Sequence, residues 1–255
     1  MAAPLVLTAL EGVPTVRPGD DLAEIVLAGA ARAGVMLAEG DILVLAQKIV
    51  SKAEGRFRRL AEVEPSAEAR SLAARTEKDP RVVELILREA TAVLRARAGV
   101  IIVAHRLGFV MANAGIDASN VEGATENDAV LLLPENPDAS AAGLRDRLRA
   151  RAGVDLGVII NDSFGRAWRL GTIGTAIGVA GLPALADLRG TPDRTGRALQ
   201  VTDVGVADEV AAAASLLMGQ AAEGRPIVHV RGFPYARREG NAAELVRPPA
   251  QDLFR

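Results

Sequence analysis

Between residues 156 and 181 the chain reads LGVIINDSFGRAWRLGTIGTAIGVAG. Val158, Ile159 and Ile160 form an apolar run with no polar alternation, the pattern of a strand buried on both faces. That strand delivers an amide, a carboxylate and a hydroxyl in succession, at Asn161, Asp162 and Ser163. Arg166, Trp168 and Arg169 follow, and then a run of small residues. Oxygen ligands suit Mg²⁺ or Mn²⁺, and guanidinium groups suit phosphate, so the stretch has the makings of a metal–phosphate site. The same Asn-Asp-Ser-x-Gly string is also an ordinary turn, because these side chains bond local backbone. On this stretch alone both readings stand. The uncharged run between Arg169 and Asp187 approaches the length of a membrane span. Gly171, Gly174, Gly178, Gly181 and Pro183 interrupt it, which predicts closely packed backbone instead.

The rest of the chain alternates short apolar strands with helices, which predicts a mixed α/β (α+β) architecture. A first strand is expected over residues 5–10 and a helix over 22–34, capped near Asp20-Asp21. Residues 41–46 read as a central strand that runs into Gln47, Lys48 and Lys52. Those two lysines are phosphate-binding point charges or solvated loop charges, and the residues do not decide between them. Helices are expected after Pro65-Ser66 and from Pro80, the second with an apolar face extending to Val93 and Leu94. A hairpin around Arg106-Leu107-Gly108 carries His105 at its end, where local hydrogen bonds are expected. Its second strand leads into Asn113-Ala114-Gly115-Ile116-Asp117-Ala118-Ser119-Asn120. This is a second strand ending in oxygen donors, and a shared site in which Asp117 and Asp162 bridge divalent cations becomes an option beside two independent loops. Residues 129–133 read as a strand, 139–151 as a basic helix, 189–197 as a polar loop, 206–218 as an Ala-rich helix and 226–230 as a last strand. The tail beyond Phe233 reads as peripheral.

Composition removes several functions. There are no cysteines and two histidines in 255 residues, so disulfides, thiolate nucleophiles and Cys-ligated zinc are excluded and a His-rich metal site is not expected. A net charge of −2 supplies no basic field for nucleic acid or anionic membrane. Aromatic residues make up 3%, too few for a base-stacking surface. The N-terminus lacks the basic segment of a signal peptide, and a cytoplasmic protein is the simplest expectation. Neither GxxxxGK[ST] nor GxGxxG stands at a strand–helix junction, so P-loop and Rossmann designs are not expected.

Taken together, these stretches resemble the coenzyme F420-0:L-glutamate ligases, or F420 γ-glutamyl ligases. The resemblance runs from Glu11-Gly12-Val13-Pro14 to Val230-Arg231-Gly232. It passes through Gly19-Asp20-Asp21-Leu22, Ser51-Lys52-Ala53-Glu54-Gly55-Arg56, the segment from Asn113 through Asn120, Leu131-Leu132-Leu133-Pro134, Asp162-Ser163-Phe164-Gly165-Arg166, Ala176-Ile177-Gly178, Val206-Ala207-Asp208-Glu209 and Leu216-Leu217-Met218-Gly219. No single block is decisive; their joint order and spacing are.

The resemblance implies GTP-dependent ligation of L-glutamate to the deazaflavin precursor coenzyme F420-0. The acceptor carboxylate would be phosphorylated to an acyl phosphate, which the glutamate amine attacks, with further γ-glutamyl additions. It implies metal ligation by Asp117, Asp162, Ser163 and Gln220, with Asp117, Asp162 and Lys52 in the catalytic centre. Nucleotide contacts would fall on Glu11, Gly12, Val13, Pro14, Gln47, Lys48, Lys52 and Asn120, and on Met218, Gly219, Gln220, Ala221, Ala222, Glu223, Gly224 and Arg225. Mg²⁺ or Mn²⁺ is the implied metal, with K⁺ as a further candidate cation. Ser163 stands where Thr is common, and Gln220 would be a neutral ligand. The resemblance also implies an intertwined homodimer; some relatives carry a reductase-like domain after the ligase, whereas here a single ligase module of one or two α/β sub-domains over residues 1–255 is expected. Two other functions stay open: a γ-glutamyl ligase for another carboxylate cofactor such as a folate, and a nucleotide-binding protein without turnover.

Overall fold

Ile42, Leu43, Val44 and Leu45 are fully buried, with no polar residue among them. Such a run is stable only inside a sheet covered on both faces. In the computed structural model, which describes residues 4–117 and 129–252, this run is the middle of a five-stranded sheet. In chain order the first half comprises β1 (Val6–Ala9), α1 (Leu22–Arg32), β2 (Ile42–Ala46), α2 (Gln47–Ala53), β3 (Phe57–Arg59), α3 (Ala67–Thr76), α4 (Pro80–Glu89), β4 (Ala90–Arg97), β5 (Val100–His105) and β6 (Val110–Ala112). The second half comprises β7 (Ala129–Leu131), α5 (Pro137–Ala152), β8 (Gly157–Arg166), β9 (Arg169–Ala180), β10 (Ala186–Asp187), β11 (Asp203–Val204), α6 (Val206–Met218) and β12 (Ile227–Arg231). The main sheet runs β1-β12-β2-β8-β9; β2 and β8 are parallel, and every other pair is antiparallel.

Strand alternation assigns the two faces. Leu43, Leu45, Val158 and Ile160 pack with Val26 and Ala30 of α1 and with Leu144 and Leu148 of α5. Ile42, Val44 and Ile159 pack with Ala207, Val210, Ala211 and Ala214 of α6. Each large apolar side chain buried this way contributes roughly 1.5–3 kcal/mol. The helices start where side chains cap free N–H groups: Asp21 accepts from Ala23 and Asn136 accepts from Ala139. The small-residue run of β9 lets α5 and α6 approach on opposite faces. A Cβ on Gly174 would sit 2.4 Å from the Ala211 carbonyl oxygen, and one on Gly178 would sit 2.4 Å from that of Pro137. The close packing expected of this run is thus made within the chain.

A second core lies between α3, α4 and the sheet β4-β5-β6, built on Leu72, Val83, Ile86, Ile101 and Val103. Here the structure corrects the sequence reading. The helix from Pro80 stops at Glu89, and Val93 and Leu94 lie on β4, paired with β5. Glu89 marks the break. It receives hydrogen bonds from Arg56 and Arg106, and His105 Nε2 lies 3.5 Å from it. Burial works to raise the Glu89 carboxyl, but His105, Arg106 and Arg56 outweigh it and hold it at about 2. His105 makes the local bond expected of it, its Nδ1 accepting from Leu107 N–H at 3.1 Å.

Three further corrections concern the main sheet. Asn161-Asp162-Ser163 is not a turn; β8 continues through it to Arg166, paired throughout with β9. The segment after residue 46 is helical from Gln47. The tail is not peripheral: Ala242 is buried, and Glu244 receives the N–H groups of Ala184 and Leu185 and an ion pair from Arg238. Among the described residues, no helix is long and apolar enough to cross a membrane.

Candidate active site at the carboxyl ends of β2 and β8

The strand directions bring separated segments to one end of the main sheet. β1 and β12 are antiparallel, as are β12 and β2, while β2 and β8 run together. The end of β1, the start of β12 and the ends of β2 and β8 therefore coincide. There the chain places residues 11–14, α2, Asp162 with Ser163, and the loop 218–225 that enters β12. In sheets with parallel strands, ligands bind outside the carboxyl ends. β2 stops at Ala46, opposite Asn161, whereas β8 runs on. From Asp162 onward β8 therefore has no strand neighbour on the β2 side, which leaves a notch in the sheet beside α2.

Lys48 and Asp117 meet in this region, Nζ to Oδ2 at 2.5 Å. Asp117 is held by its backbone, which exchanges hydrogen bonds with Leu131 at 3.0 and 2.8 Å. The turn before it is unusual. Asn113, Ala114 and Gly115 all have positive φ, at 51°, 51° and 65°. Non-glycine residues pay for that conformation and keep it where the surroundings enforce it. Here Asn113 Oδ1 accepts from Ile101 N–H, Ala114 is buried, and a Cβ on Gly115 would lie 2.6 Å from Met111 Cε.

Asp162 completes the group. Burial pushes its carboxyl up to about 6 and the Asp117 charge adds to the rise, against the Ser163 N–H and Lys48, which lower it. Two carboxylates within reach of each other's charge, one of them paired with Lys48, form a site that favours further positive charge. Lys52 lies one turn from Lys48, on the same side of α2. Gln47, by contrast, is buried, and its Oε1 accepts from Ser51.

Ser163 and Gln220 form a separate pair, Oγ to Oε1 at 2.9 Å. Alternation sends Ser163 to the face of α6: its partner across the ladder is Gly174, which packs on Ala211. Asn161 points the same way, its Nδ2 reaching Met218 Sδ at 3.5 Å. Asp162 takes the opposite face, toward α2. The four residues expected to ligate metal thus fall into two pairs flanking the β8 backbone beside the notch. Among the described residues, no three Asp, Glu, His or Cys side chains cluster as a metal site. A cation here would draw on two carboxylates and complete its shell with neutral oxygens and phosphate, as Mg²⁺ does at nucleotide sites.

The flanking loops are shaped by side chains. Arg32 donates to the carbonyls of Glu11 (3.3 Å) and Gly12 (3.0 Å), and Gly12 has φ 67°. At the other loop Gly219 has φ 73° and ψ −178°, while Glu223 accepts from Ala221 N–H at 2.8 Å. Arg166 lies at the far end of β8, with Arg169 across the hairpin tip. Asn120, with Ala118 and Ser119, lies outside the described residues. Arg32 went unnoticed in the sequence because an arginine in a helix's last turn is commonplace. The positive φ of Gly219 could have been suspected from a glycine directly after an apolar helix.

Comparison with known proteins identifies the family of the chain. Residues 12–232 match the F420-0:Gamma-glutamyl ligase family. The chain is 50% identical to the Coenzyme F420:L-glutamate ligase of Methanopyrus kandleri over 96% of this chain and 97% of that one. It is 46% identical to the protein of that name from Methanothermobacter thermautotrophicus, over 98% of each. A third such ligase, from Archaeoglobus fulgidus, is 44% identical over 96% of this chain and 94% of its own. The match covers most of the chain, and the chain belongs to the F420-0:gamma-glutamyl ligase family.

Proposed function

We propose that this protein joins L-glutamate to coenzyme F420-0 at the expense of GTP, and then adds further γ-linked glutamates. The observation that carries the reading is the meeting of Lys48, Asp117 and the raised Asp162 carboxyl beside the notch. In the first step an acceptor carboxylate oxygen attacks the γ-phosphorus of GTP, giving an acyl phosphate and GDP. In the second, the glutamate amine attacks the acyl carbon; the C–N bond forms, phosphate leaves and the amine proton passes to solvent. Asp117 and Asp162 would hold one Mg²⁺ or Mn²⁺ ion on their face of β8, while Ser163 and Gln220, paired on the other face, would serve a second cation. Such an ion supplies charge neutralisation on the transferring phosphoryl group. Lys48 and Lys52 offer point charges to the same phosphates. The Arg32-braced turn at Gly12 and the loop of residues 218–225 face the nucleotide, and K⁺ is a further candidate cation.

A homodimer belongs to the same reading. Trp168 and Leu170 at the β8–β9 hairpin tip are 87% and 99% exposed, an apolar surface that a second copy would cover. Sedimentation should then give twice the chain mass.

Incubation with F420-0, GTP, Mg²⁺ and L-glutamate, followed by mass analysis, should show glutamyl products and GDP. Asp117→Ala and Asp162→Ala should each abolish product while leaving the fold intact by circular dichroism. Turnover like wild type in either variant sinks the assignment. Glutamylation of a folate in place of F420-0 moves the acceptor but keeps the chemistry.

A further inference from the structure

A cavity of about 220 Å³ lies against the outer strand of the main sheet. Thr175 and Ala176 of β9 line it, with Phe109, Phe164, Asp208 and Arg247 around them. The two phenyl rings meet edge to face, their centroids 5.9 Å apart. In the ladder Thr175 stands directly opposite Asp162, and Ala176 opposite Asn161. Residues so paired project from the same face with Cβ atoms about 4.5–5.5 Å apart. The cavity therefore opens one strand away from the carboxylate at the centre of the candidate active site.

Its size and charge select an occupant. Pockets for drug-sized ligands run to about 300–1,000 Å³, so 220 Å³ suits a molecule of amino-acid size better than a nucleotide or a tricyclic ring. Asp208 stands in the first turn of α6, where its Oδ1 accepts from the Ala176 N–H at 2.9 Å. Burial raises its carboxyl above the usual range, and that one backbone bond is the opposing influence. A carboxylate desolvated to this degree gains from an ammonium group beside it. Arg247 adds a guanidinium, a group suited to a carboxylate, and Asp252 also lines the cavity.

We infer that this cavity is the subsite for the incoming L-glutamate, its ammonium directed to Asp208, one carboxylate to Arg247 and its methylenes against the Phe109–Phe164 pair. The inference rests on the ligase reading and adds the place from which the nucleophile arrives, beside β9 and apart from the nucleotide loops.

Steady-state kinetics on Asp208→Asn and Arg247→Gln test it. Asn keeps the acceptor for the Ala176 N–H while removing the charge. Each variant should raise KM for L-glutamate at least tenfold and leave KM for GTP within twofold of wild type. Glutarate, which lacks the amine, should compete far less well than a glutamate analogue retaining it in wild type, and that preference should narrow in Asp208→Asn. If Asp208→Asn does not fold, Arg247→Gln and the glutarate comparison carry the same readout. An active wild type whose variants keep the glutamate KM, or raise both KM values together, overturns the subsite alone. A wild type that makes no glutamyl product from GTP overturns the ligase reading and the subsite with it.

Discussion

Replacing Asp162 by Asn should stabilise the metal-free protein, and the gain should grow with pH. The carboxyl moves from 3.8 to about 6 on folding, first through burial and then through the Asp117 charge. For an acid raised in this way, the folded state binds the proton more tightly. That stability is fully present below pH 3.8 and is lost as pH rises through about 6. Asn imitates the protonated carboxyl at every pH. With each pKa unit equal to about 1.4 kcal/mol, the variant should exceed wild type by about 1.5 kcal/mol at pH 5 and about 3 kcal/mol at pH 8. For a chain of this size 1 kcal/mol moves Tm by about 2–4 °C, so the pH 8 difference should reach about 6 °C or more. Chemical denaturation in EDTA at pH 5, 6, 7 and 8 measures the trend directly. A difference that does not change with pH, or a variant less stable than wild type at pH 8, refutes the electrostatic account. The same substitution should eliminate turnover, so that stability is gained where function is lost.

Two other perturbations probe the frame. Glu89→Gln removes the carboxylate shared by Arg56, Arg106 and His105; because Glu89 is held at about 2, it should cost about 3 kcal/mol at pH 7, a difference present above pH 4.5 that narrows as pH falls toward 2 in urea titrations. Gly219→Ala forces a side chain into a backbone region that essentially glycine alone occupies, a local strain of about 1–3 kcal/mol. It should lower Tm by about 2 °C or more and raise KM for GTP about tenfold by reshaping residues 218–225, and an unchanged KM would remove that loop from the nucleotide site.

The fold is legible in the sequence at some positions and not at others. The Ala-rich helix expected over 206–218 is α6 residue for residue, because its apolar spacing and the glycine after it agree. The apolar centre of β2 was equally plain. The helix from Pro80 was read too far, since Val93 and Leu94 fit a helical stripe as well as a strand; pairing of β4 with β5, a tertiary effect, decides. Asn161-Asp162-Ser163 looked like a turn because those residues are poor strand formers. The ladder with β9, and the glycines that let α5 and α6 close over it, override local preference. That override is also what sets Asp162 and Ser163 on opposite faces, which no reading of adjacent residues could supply. Lys48 was left between phosphate ligand and loop charge; its contact with Asp117, residues distant in sequence, places it in the candidate site. Asp208 carried no chemical signal, since an Asp in a first helical turn is expected for the helix dipole alone.

The central claim is that Asp117 and Asp162 together hold a divalent cation for the nucleotide. Mn²⁺ titration in the presence of GDP, followed by electron paramagnetic resonance, tests it most directly. Wild type should take up Mn²⁺, and Asp117→Asn and Asp162→Asn should each weaken uptake by tenfold or more without loss of fold. Binding as tight as wild type in both variants would contradict it.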